Sequence, residues 1–553
     1  MNKINASGIE RVSKKMVILL YILIPFAMSN LFLTAIQQYN TYTENGAVSH
    51  GTTGDALVDY FAKCATYRNR PEVMVYADLS RIWAEAPKIT LQIMLYLRLI
   101  TRKPKGFFAS EKVQMGQGNR SEFRTGIKWL ATYQPDVFYK NLWLLPVAGC
   151  WKDLWHKDLL QVLNTARVYA LIEQGLADDY NRQLLAKYLP RIRSKKHLQT
   201  ERHKDLNRFA YGLCRHLKWT PQQYRKFKAG GTAHVFQRQM CANLWNEINF
   251  EAISGKALFN LVNHVGRDGL TTLARHQQEE RYLNWIKQQP IAKFTGYVYE
   301  LMNAVQPQMG LAQRYTLDKQ FEGLLDLARQ NAGGITENVW CALDTSGSMQ
   351  APVANTTAFK ICVSLGIYFA SLNQGVFKDH VVMFDATSKV MKLSGTFTDK
   401  ALQIMAAETA WGNTNFQSVI DEIVRVRTQN PQIPVSDFPT TLLVISDLQF
   451  DPATEQNTET NYEALMRKLT DAGLPKIRVI WWWVTGRRED FPSTIQDEGV
   501  SMLGGFDAAI LSLLLGGQTH VTDAQTGKTR QLNAYENMLK ALDQELLRQV
   551  KIN

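Results

Sequence analysis

The sequence predicts a two-part fold, an N-terminal all-α helical-repeat array followed by a C-terminal α/β domain with a doubly wound sheet. From about Asp55 to Gln330, helix-length segments follow one another with short Pro or Gly breaks between them. From about Gly334, apolar and β-branched strand segments alternate with helix-like segments. We therefore expect residues 28–335 to form the helical part and residues 336–553 to form the α/β part.

The helical part is predicted from apolar residues that recur with the period of an α-helix. The segment 89–102 is apolar on nearly every face, so this helix should be buried among others. The other helix-length segments are 73–86, 122–133, 135–145, 166–189, 256–266, 292–305 and 319–330. No fixed sequence period is visible, and the layout alone is typical of a HEAT-like array.

The α/β part is predicted from four apolar strands and the helices between them. The strands are ENVWCALD (337–344), HVVMFDA (380–386), TTLLVISD (440–447) and KIRVIWWWV (476–484). Helix-like segments occupy 356–372, 415–429 and 461–473. Such alternation is typical of a parallel sheet covered on both faces, which binds ligands beyond the carboxyl ends of its strands. Trp481 to Trp483 are expected to pack in the core.

Oxygen-bearing side chains follow two of these strands where they end. CALDTSGSMQ carries Asp344, Ser346 and Ser348, TTLLVISD ends in Asp447, and the turn WGNTNF places Thr414 just before a helix. Asp, Ser and Gly also favour ordinary turns, and DTSGS alone is explained that way. In a doubly wound sheet, however, all three loops emerge at one edge. Two carboxylates and three hydroxyls suit a Mg²⁺ or Mn²⁺ ion.

The same residues resemble the metal-ion-dependent adhesion site (MIDAS) of von Willebrand factor A (vWA) domains. Asp344, Ser346 and Ser348 match the D-x-S-x-S motif, Thr414 matches the second-loop threonine, and Asp447 matches the third-loop aspartate. The resemblance implies a bound divalent cation with one position open to an acidic group of a protein partner. That would be a binding device and not a catalyst.

The wider layout is similar to TROVE-domain proteins, the Ro autoantigen group. Its sequence motifs are more similar still to those of an uncharacterised domain-of-unknown-function family with the same layout. The motifs are GNRSEFRTGIKWLA, VAGCWKDLW, WGNTNFQSV, SDLQFD and LGGFDAAILSLL, within roughly Arg98 to Leu515. The Ro resemblance implies RNA binding on basic helical surfaces, as a ribonucleoprotein scaffold.

Positive charge is concentrated between Asn181 and Arg238, which we name the basic segment. Its fifteen Lys and Arg residues face only Glu201 and Asp205, so it carries as much net charge as the whole chain, +13. A field of this size attracts polyanions, with nucleic acid as the first candidate. The candidate RNA-binding residues are Arg182, Lys187, Arg191, Arg193, Lys195, Lys196, Arg202, Lys204, Arg208, Arg215, Lys218, Arg225, Lys226 and Lys228.

The alternative interpretation of the basic segment is a solvated helix face. Such a face usually mixes charges of both signs, which this segment does not. Aromatic residues are also interleaved and, where exposed, would stack on unpaired bases. They are Tyr188, Phe209, Tyr211, Trp219, Tyr224, Phe227 and Phe236. The loop 101–120 adds Arg102, Lys103, Lys105, Lys112 and Arg120 as a possible extension of the same surface.

The N-terminus has the outline of a signal peptide or membrane anchor, with twelve apolar residues from Met16 to Ala27. Pro25 interrupts this run, and Met28 opens an ordinary polar start. We favour an over-extended start for residues 1–27, with a retained anchor as the alternative. The six scattered cysteines form no C-x-x-C pair and indicate free thiols in a reducing compartment, so a cytoplasmic location is expected.

The sequence offers no recognisable catalytic machinery. It has no G-x-S-x-G elbow, no nucleotide-binding P-loop and no D-x-D pair at Asp344. We therefore predict a non-enzymatic RNA-binding scaffold without a small-molecule substrate. Two alternatives remain: a metal-dependent protein–protein scaffold without nucleic acid, and a membrane-anchored vWA adhesion protein.

Overall fold

The computed structural model describes residues 41–156, 159–230, 235–332, 335, 337–407, 411–509, 519–522 and 527–553. The segment 1–27, interpreted above as an over-extended start or an anchor, lies outside these residues, as do 28–40 and the side chain of Lys195. The described chain forms a helical part followed by an α/β part with a mostly parallel sheet, which confirms the predicted fold class. None of its helices is long and apolar enough to span a lipid bilayer.

The helical part is preceded by a hairpin of β1 (Thr41–Tyr42) and β2 (Val48–Ser49). Its helices are α1 (Ala56–Cys64), α2 (Glu72–Glu85), α3 (Pro87–Arg98), α4 (Ser121–Tyr133), α5 (Pro135–Lys140), α6 (Leu144–Ala148), α7 (Thr165–Ala177), α8 (Asp179–Tyr188), α9 (Glu201–His216), α10 (Pro221–Gly230), α11 (Val235–Cys241), α12 (Gly255–Asn263), α13 (Thr272–Arg275), α14 (Glu279–Gln288), α15 (Val298–Met302) and α16 (Leu311–Ala332). Every helical segment expected from the sequence overlaps at least one of them.

Three of the expected helices are shorter or divided. The segment 166–189 forms two helices because Asp178 has an extended backbone and its carboxylate accepts a 2.8 Å hydrogen bond from the Asn181 amide, which caps α8. The segment 135–145 is likewise divided into α5 and α6. In 292–305 only α15 is helical, since the Ala292 amide instead donates to the carbonyl of Lys319 on α16 at 2.8 Å.

The α/β part is built on a six-stranded sheet in the order β10–β9–β8–β3–β6–β7. All neighbours are parallel except β6 and β7. The strands are β3 (Val339–Asp344), β6 (His380–Phe384), β7 (Ser388–Lys392), β8 (Thr441–Ser446), β9 (Arg478–Trp483) and β10 (Val500–Gly504). The four strands expected from the sequence are β3, β6, β8 and β9. The sequence did not predict the edge strand β7, because most of its residues are exposed and form no apolar run.

The remaining elements of the α/β part cover the sheet or lie at its margin. They are β4 (Pro352–Val353), β5 (Thr356–Thr357), α17 (Ala358–Leu372), α18 (Phe397–Ala406), α19 (Gln417–Gln429), α20 (Asn461–Asp471), β11 (His520–Thr522), β12 (Thr529–Gln531) and α21 (Ala534–Leu542). Trp481, Trp482 and Trp483 of β9 are buried as expected, with the Trp482 indole N–H donating to the Gly505 carbonyl at 2.9 Å.

The first elements of the chain pack on the α/β part. Helix α1 lies against β10 so closely that a Cβ on Gly504 would be 2.6 Å from the carbonyl oxygen of Ala62. After the β1–β2 hairpin, the backbones of His50 and Phe491 exchange hydrogen bonds of 2.9 and 2.8 Å. Residues 41–64, which the sequence groups with the helical part, thus share a core with the sheet.

Candidate functional site

Strand order brings Asp344 and Asp447 to one point on the sheet edge. Strands β3 and β8 are parallel neighbours with Leu343 opposite Ile445, so Asp344 at the end of β3 lies beside Ser446 at the end of β8. Asp447 follows directly. The chain leaves β3 towards β6 on one side and reaches β8 on the other, which makes this edge the topological switch point of the sheet.

The first loop, Asp344 to Ser348, is folded back on its own carboxylate. The Ser346 amide donates to Asp344 Oδ1 at 2.9 Å, and the hydroxyls of Ser346 and Ser348 lie 3.2 Å apart. The Gly347 amide donates to the carbonyl of Gly412 at 3.2 Å, which joins this loop to the second one. The three first-loop candidates therefore face one small volume.

The second loop places Thr414 at the same edge. The Asn415 amide donates to the carbonyl of Asp385 at the end of β6 at 2.8 Å, and the Asp451 amide donates to the carbonyl of Thr414 at 3.0 Å. Thr414 is buried, and its hydroxyl accepts a 3.2 Å hydrogen bond from the side-chain amide of Asn45. Thr414 therefore lies on a loop that is hydrogen-bonded to both the first and the third loop of the site, while its own hydroxyl contacts Asn45.

Two contacts at this site were not foreseen from the sequence. The Ser446 hydroxyl donates to Asp344 Oδ2 and accepts from the Leu448 amide at 2.7 Å. The position of Ser446 next to Asp447, at the end of an apolar strand, is the sequence signal that would have suggested this residue. The second unforeseen contact is that of Asn45 with Thr414. No local sequence pattern links these two residues, which are 369 positions apart in the chain.

The two carboxylates are held in an unfavourable electrostatic environment. Burial raises the pKa of Asp344 to about 7, with a further contribution from the charge of Asp447, against hydrogen bonds from Ser446 and Ser346. Burial also raises the pKa of Asp447, although Ser348 and the Gln449 amide donate to it and the positive charge of Arg487 opposes the shift. Within the described residues, neither carboxylate forms an ion pair with a basic side chain.

This donor set fits a hard divalent cation. Neither buried carboxylate forms an ion pair within the described residues, and every candidate ligand offers oxygen, the atom that Mg²⁺ and Mn²⁺ prefer. No three His, Cys, Asp or Glu side chains form a metal-binding group in the parts of the chain that the structure describes. A cation at this edge would therefore depend on the hydroxyls of Ser346, Ser348 and Thr414, and on water, for its remaining ligands.

The basic segment forms an exposed surface on α8, α9, α10 and the connections between them. Twelve of the fourteen candidate RNA-binding residues are exposed: Arg182, Lys187, Arg191, Arg193, Lys196, Arg202, Lys204, Arg208, Arg215, Lys218, Arg225 and Lys226. Lys228 is only half-exposed, because its ammonium donates to the Ala186 carbonyl at 3.0 Å. Burial, with the nearby positive charges of Arg191 and Lys152, lowers the pKa of Lys228 to about 8.

Acidic side chains neutralise little of this surface. Lys204 pairs with Glu201 at 2.6 Å and Arg208 with Asp205 at 3.2 Å, both along α9. Among the described residues, the other ten exposed candidates have no acidic partner within ion-pair distance. They are Arg182, Lys187, Arg191, Arg193, Lys196, Arg202, Arg215, Lys218, Arg225 and Lys226. The alternative interpretation, a solvated helix face with alternating salt bridges, therefore does not describe the basic segment.

The aromatic residues of the basic segment divide into core and surface. Phe209, Tyr224 and Phe236 are buried, and the Tyr224 hydroxyl donates to the Pro190 carbonyl at 2.7 Å. Tyr211 is 41% exposed. Tyr188, Trp219 and Phe227 are half-buried. The ammonium of Lys152 lies 5.1 Å from the Tyr188 ring centre, so this exposed lysine, missed by the sequence analysis, extends the surface.

The loop 101–120 adds fewer charges than the sequence suggested. Lys103 pairs with Glu111 at 3.4 Å, Lys112 pairs with Glu545 at 3.3 Å, and the Arg102 guanidinium donates to the Val147 carbonyl at 2.9 Å. Lys105 and Arg120 remain exposed. Arg120 is near enough to Tyr188 to lower the pKa of that phenol, which burial raises.

Two protein-family models match the chain. Residues 339–549 match a domain of unknown function, DUF7788, and residues 43–210 match another, DUF2828. Both families are uncharacterised, in agreement with the motif-based resemblance to such a family. The first match contains all five candidate cation ligands. The second ends within the basic segment, at residue 210.

The chain also resembles one curated protein and one solved structure. It is 22% identical over 518 residues to the uncharacterised protein L728 of Acanthamoeba polyphaga mimivirus, covering 86% of this chain and 85% of that protein. The crystal structure of the Deinococcus radiodurans RO (RSR) protein superposes with a TM-score of 0.40 at 14% identity. The structural match covers 83% of this chain and 98% of the Deinococcus chain.

Proposed function

We propose that this protein is a non-catalytic RNA-binding scaffold. The observation that carries the proposal is the basic surface on α8, α9, α10 and their connections, where ten exposed Lys and Arg side chains lack acidic partners within the part of the chain that the structure describes. Unneutralised cations held on a rigid helical face favour a polyanion, because each phosphate contact releases condensed counterions. A protein partner would need an acidic face of comparable extent.

RNA is the polyanion that we favour. Tyr211 is exposed and Tyr188 half-exposed beside Lys152 and Lys187, an arrangement that suits stacking on unpaired bases. The motif resemblance to the Ro group implies RNA over DNA. The cysteines that the structure shows to be free, including the buried Cys64 and Cys341, suit a reducing compartment, and we place the scaffold in the cytoplasm.

The test is the salt dependence of RNA binding by the full chain and by a triple variant, Arg191→Glu, Arg193→Glu and Lys196→Glu. These exposed residues lie in the connection between α8 and α9, outside both helices, so reversing their charge should leave the fold intact. We expect unstructured RNA to bind the wild type with a steep salt dependence. In the variant, the slope of log K against log salt should fall by roughly 2, since three phosphate contacts are lost.

The matched control reverses three exposed lysines of the α/β part, Lys378→Glu, Lys389→Glu and Lys392→Glu. This control has the same net charge as the triple variant but keeps the basic surface. It should bind RNA like the wild type after correction for overall charge. No retention of RNA by the wild type at low salt, or equal losses in the two triple variants, would contradict the proposal.

We propose in addition that the α/β part binds Mg²⁺ or Mn²⁺, and through the cation an acidic group of a protein partner. The convergence of the three loops that carry Asp344, Ser346, Ser348, Thr414 and Asp447 supports it, because burial raises the pKa of both carboxylates and a cation beside them would offset that cost. This is the metal-dependent protein scaffold named above as an alternative, and it is compatible with RNA binding at the distant basic surface.

Electron paramagnetic resonance of free Mn²⁺ tests this second proposal. Titration of the wild type should show about one bound ion per chain, and Asp447→Asn should remove it. Asp437→Asn is the matched control, because Asp437 is exposed and precedes β8 at the opposite end of the same strand. Equal binding by all three proteins would place the ion elsewhere and contradict the assignment.

A further inference from the structure

The tip of the β1–β2 hairpin lies over the candidate cation site. Between the two short strands, the Thr43 amide donates to the Ala47 carbonyl at 2.9 Å, and Gly46 adopts a positive φ of 91° that closes the turn. The tip residues Glu44 and Asn45 project from this turn towards the second and third loops of the site. Neither residue belongs to the motif that predicted the site.

Asn45 contacts a candidate cation ligand directly. Its side-chain amide donates to the Thr414 hydroxyl at 3.2 Å and to the Gln449 carbonyl at 2.8 Å. The Glu44 amide donates to the Gln449 side chain at 2.6 Å. The hairpin tip is thus hydrogen-bonded to both loops that carry Thr414 and Asp447, and it narrows the approach to them from solvent.

Glu44 brings a third negative charge to this approach. Its side chain is exposed and lies 3.9 Å from the Arg488 guanidinium, too loose an ion pair to neutralise it fully. Glu44 directly precedes Asn45, whose side chain is hydrogen-bonded to Thr414, so its charge lies beside the site. A carboxylate in this position attracts a cation and repels a second carboxylate that approaches from outside.

The hairpin is fastened by a few side-chain contacts. The Thr43 hydroxyl donates to the Phe450 carbonyl at 2.6 Å. The Asn457 side chain donates to the Gly46 carbonyl at 2.8 Å and accepts from the Val48 amide at 3.1 Å. Each strand has two residues, and two-stranded hairpins of this size have little stability of their own. Thr43, Ala47, Val48 and Ser49 are nevertheless buried, so the strands stay in place and the exposed tip, Glu44 and Asn45, is the part that can move.

We propose that the Thr41–Ser49 hairpin is a gate on the cation site. With the tip in the closed position, the cation can enter but the acidic group of a partner is excluded. The exclusion arises because Glu44 is negatively charged and the Asn45 side chain is hydrogen-bonded to Thr414. Displacement of the tip from Thr414 opens the position that a carboxylate from the partner then occupies. This inference rests on the proposed cation site and adds its regulation.

The test uses Mn²⁺ as the cation and trifluoroacetate as a small carboxylate probe. Fluorine NMR line broadening reports how closely the probe approaches Mn²⁺ bound to the full-length protein. We expect weak broadening with the wild type and a severalfold increase with the double variant Glu44→Gln, Asn45→Ala. Asn457→Ala, which loosens the hairpin without changing its tip, should give an intermediate increase. Glu111→Gln, at a remote and almost fully exposed glutamate, is the control.

The outcomes separate the gate from the site itself. Free Mn²⁺ is measured in every sample, so broadening is compared at equal occupancy. Mn²⁺ binding with the same broadening in the wild type and both hairpin variants would overturn the gate and leave the cation site standing. Absence of bound Mn²⁺ in the wild type would overturn both. Increased broadening in the tip and Asn457 variants, but not in the control, would support the gate.

Discussion

At the scale of single residues, the candidate site is defined by two like charges that the fold holds together. Asp344 is fully buried and Asp447 nearly so. Hydroxyl and amide groups donate to both, and the charge of Arg487 acts on Asp447 without forming an ion pair. Hydrogen bonds offset only part of the cost of burying a carboxylate beside another one. Without a cation, therefore, these residues destabilise the folded protein.

Replacement of Asp344 by asparagine should accordingly stabilise the metal-free protein. We expect Asp344→Asn to raise the unfolding free energy in EDTA at pH 8 by on the order of 2 kcal/mol, because one buried charge and its repulsion of Asp447 are removed. The same variant should lose the rise in Tm that Mn²⁺ gives the wild type. Urea denaturation and thermal scans measure the two effects. A less stable metal-free variant would show that Asp344 serves the fold and not a cation.

At the scale of elements, the helical part is tied together by buried ion pairs. Arg70, before α2, lies 2.6 Å from Asp78 on α2 and 3.0 Å from Glu122 in the first turn of α4. Burial lowers the pKa of Arg70, but the two carboxylates together raise it above its usual value. Glu122 has only a share of this cation, so burial dominates and raises its pKa to about 7. The pKa shifts of Arg70 and Glu122 are consistent with each other, because one guanidinium is shared between two carboxylates.

This arrangement predicts a pH dependence of stability. Folded Glu122 holds its proton up to about pH 7, whereas the unfolded chain releases it near 4.5. Stability should therefore fall as pH rises from about 4.5 to about 7, by on the order of 3 kcal/mol, and change no further above that range. Urea midpoints of the wild type and Glu122→Gln at pH 5 and pH 8 measure this contribution. Parallel pH profiles of the two proteins would contradict it.

At the scale of the whole molecule, the two parts are joined at both ends of the chain. Besides α1 on β10, the C-terminal residues return to the helical part. The Gln544 side chain accepts from the Met115 amide at 2.6 Å and donates to the Met115 carbonyl at 3.0 Å. Asn141 exchanges hydrogen bonds of 2.6 and 2.9 Å with the backbone of Lys551. One hydrophobic core runs through both parts.

We therefore expect the described helical and α/β parts to unfold cooperatively. Removal of residues 543–553 should lower the unfolding temperature of both parts together, because contacts to Met115 and Asn141 are lost. Hydrogen exchange measured separately on α4 and on β8 is the suitable readout. Faster exchange of α4 with unchanged protection of β8 would show that the parts are stabilised independently.

The sequence by itself determined the fold class, the central strands and the placement of candidate oxygen ligands in loops at one edge of the sheet. These rest on short-range regularities: apolar strands alternate with helices, and polar residues that follow the carboxyl ends of parallel strands must meet at one edge. The concentration of positive charge was equally visible, since it depends only on composition. Which of these charges are exposed and unpaired was not visible, because Lys112 and Lys228 find their partners in other elements and Lys103 pairs with Glu111 across its own loop.

Tertiary structure alone decided what surrounds the candidate site. Asn45 reaches Thr414 across 369 residues of chain, and Ser446 faces Asp344 because β8 pairs with β3 in one particular register. The hairpin carrying Glu44 and Asn45 has neither the length nor the apolar alternation that marks a strand in sequence. Such contacts arise from the packing of distant elements against one another. Local periodicity carries no record of that packing, and so the gate became visible only in the folded molecule.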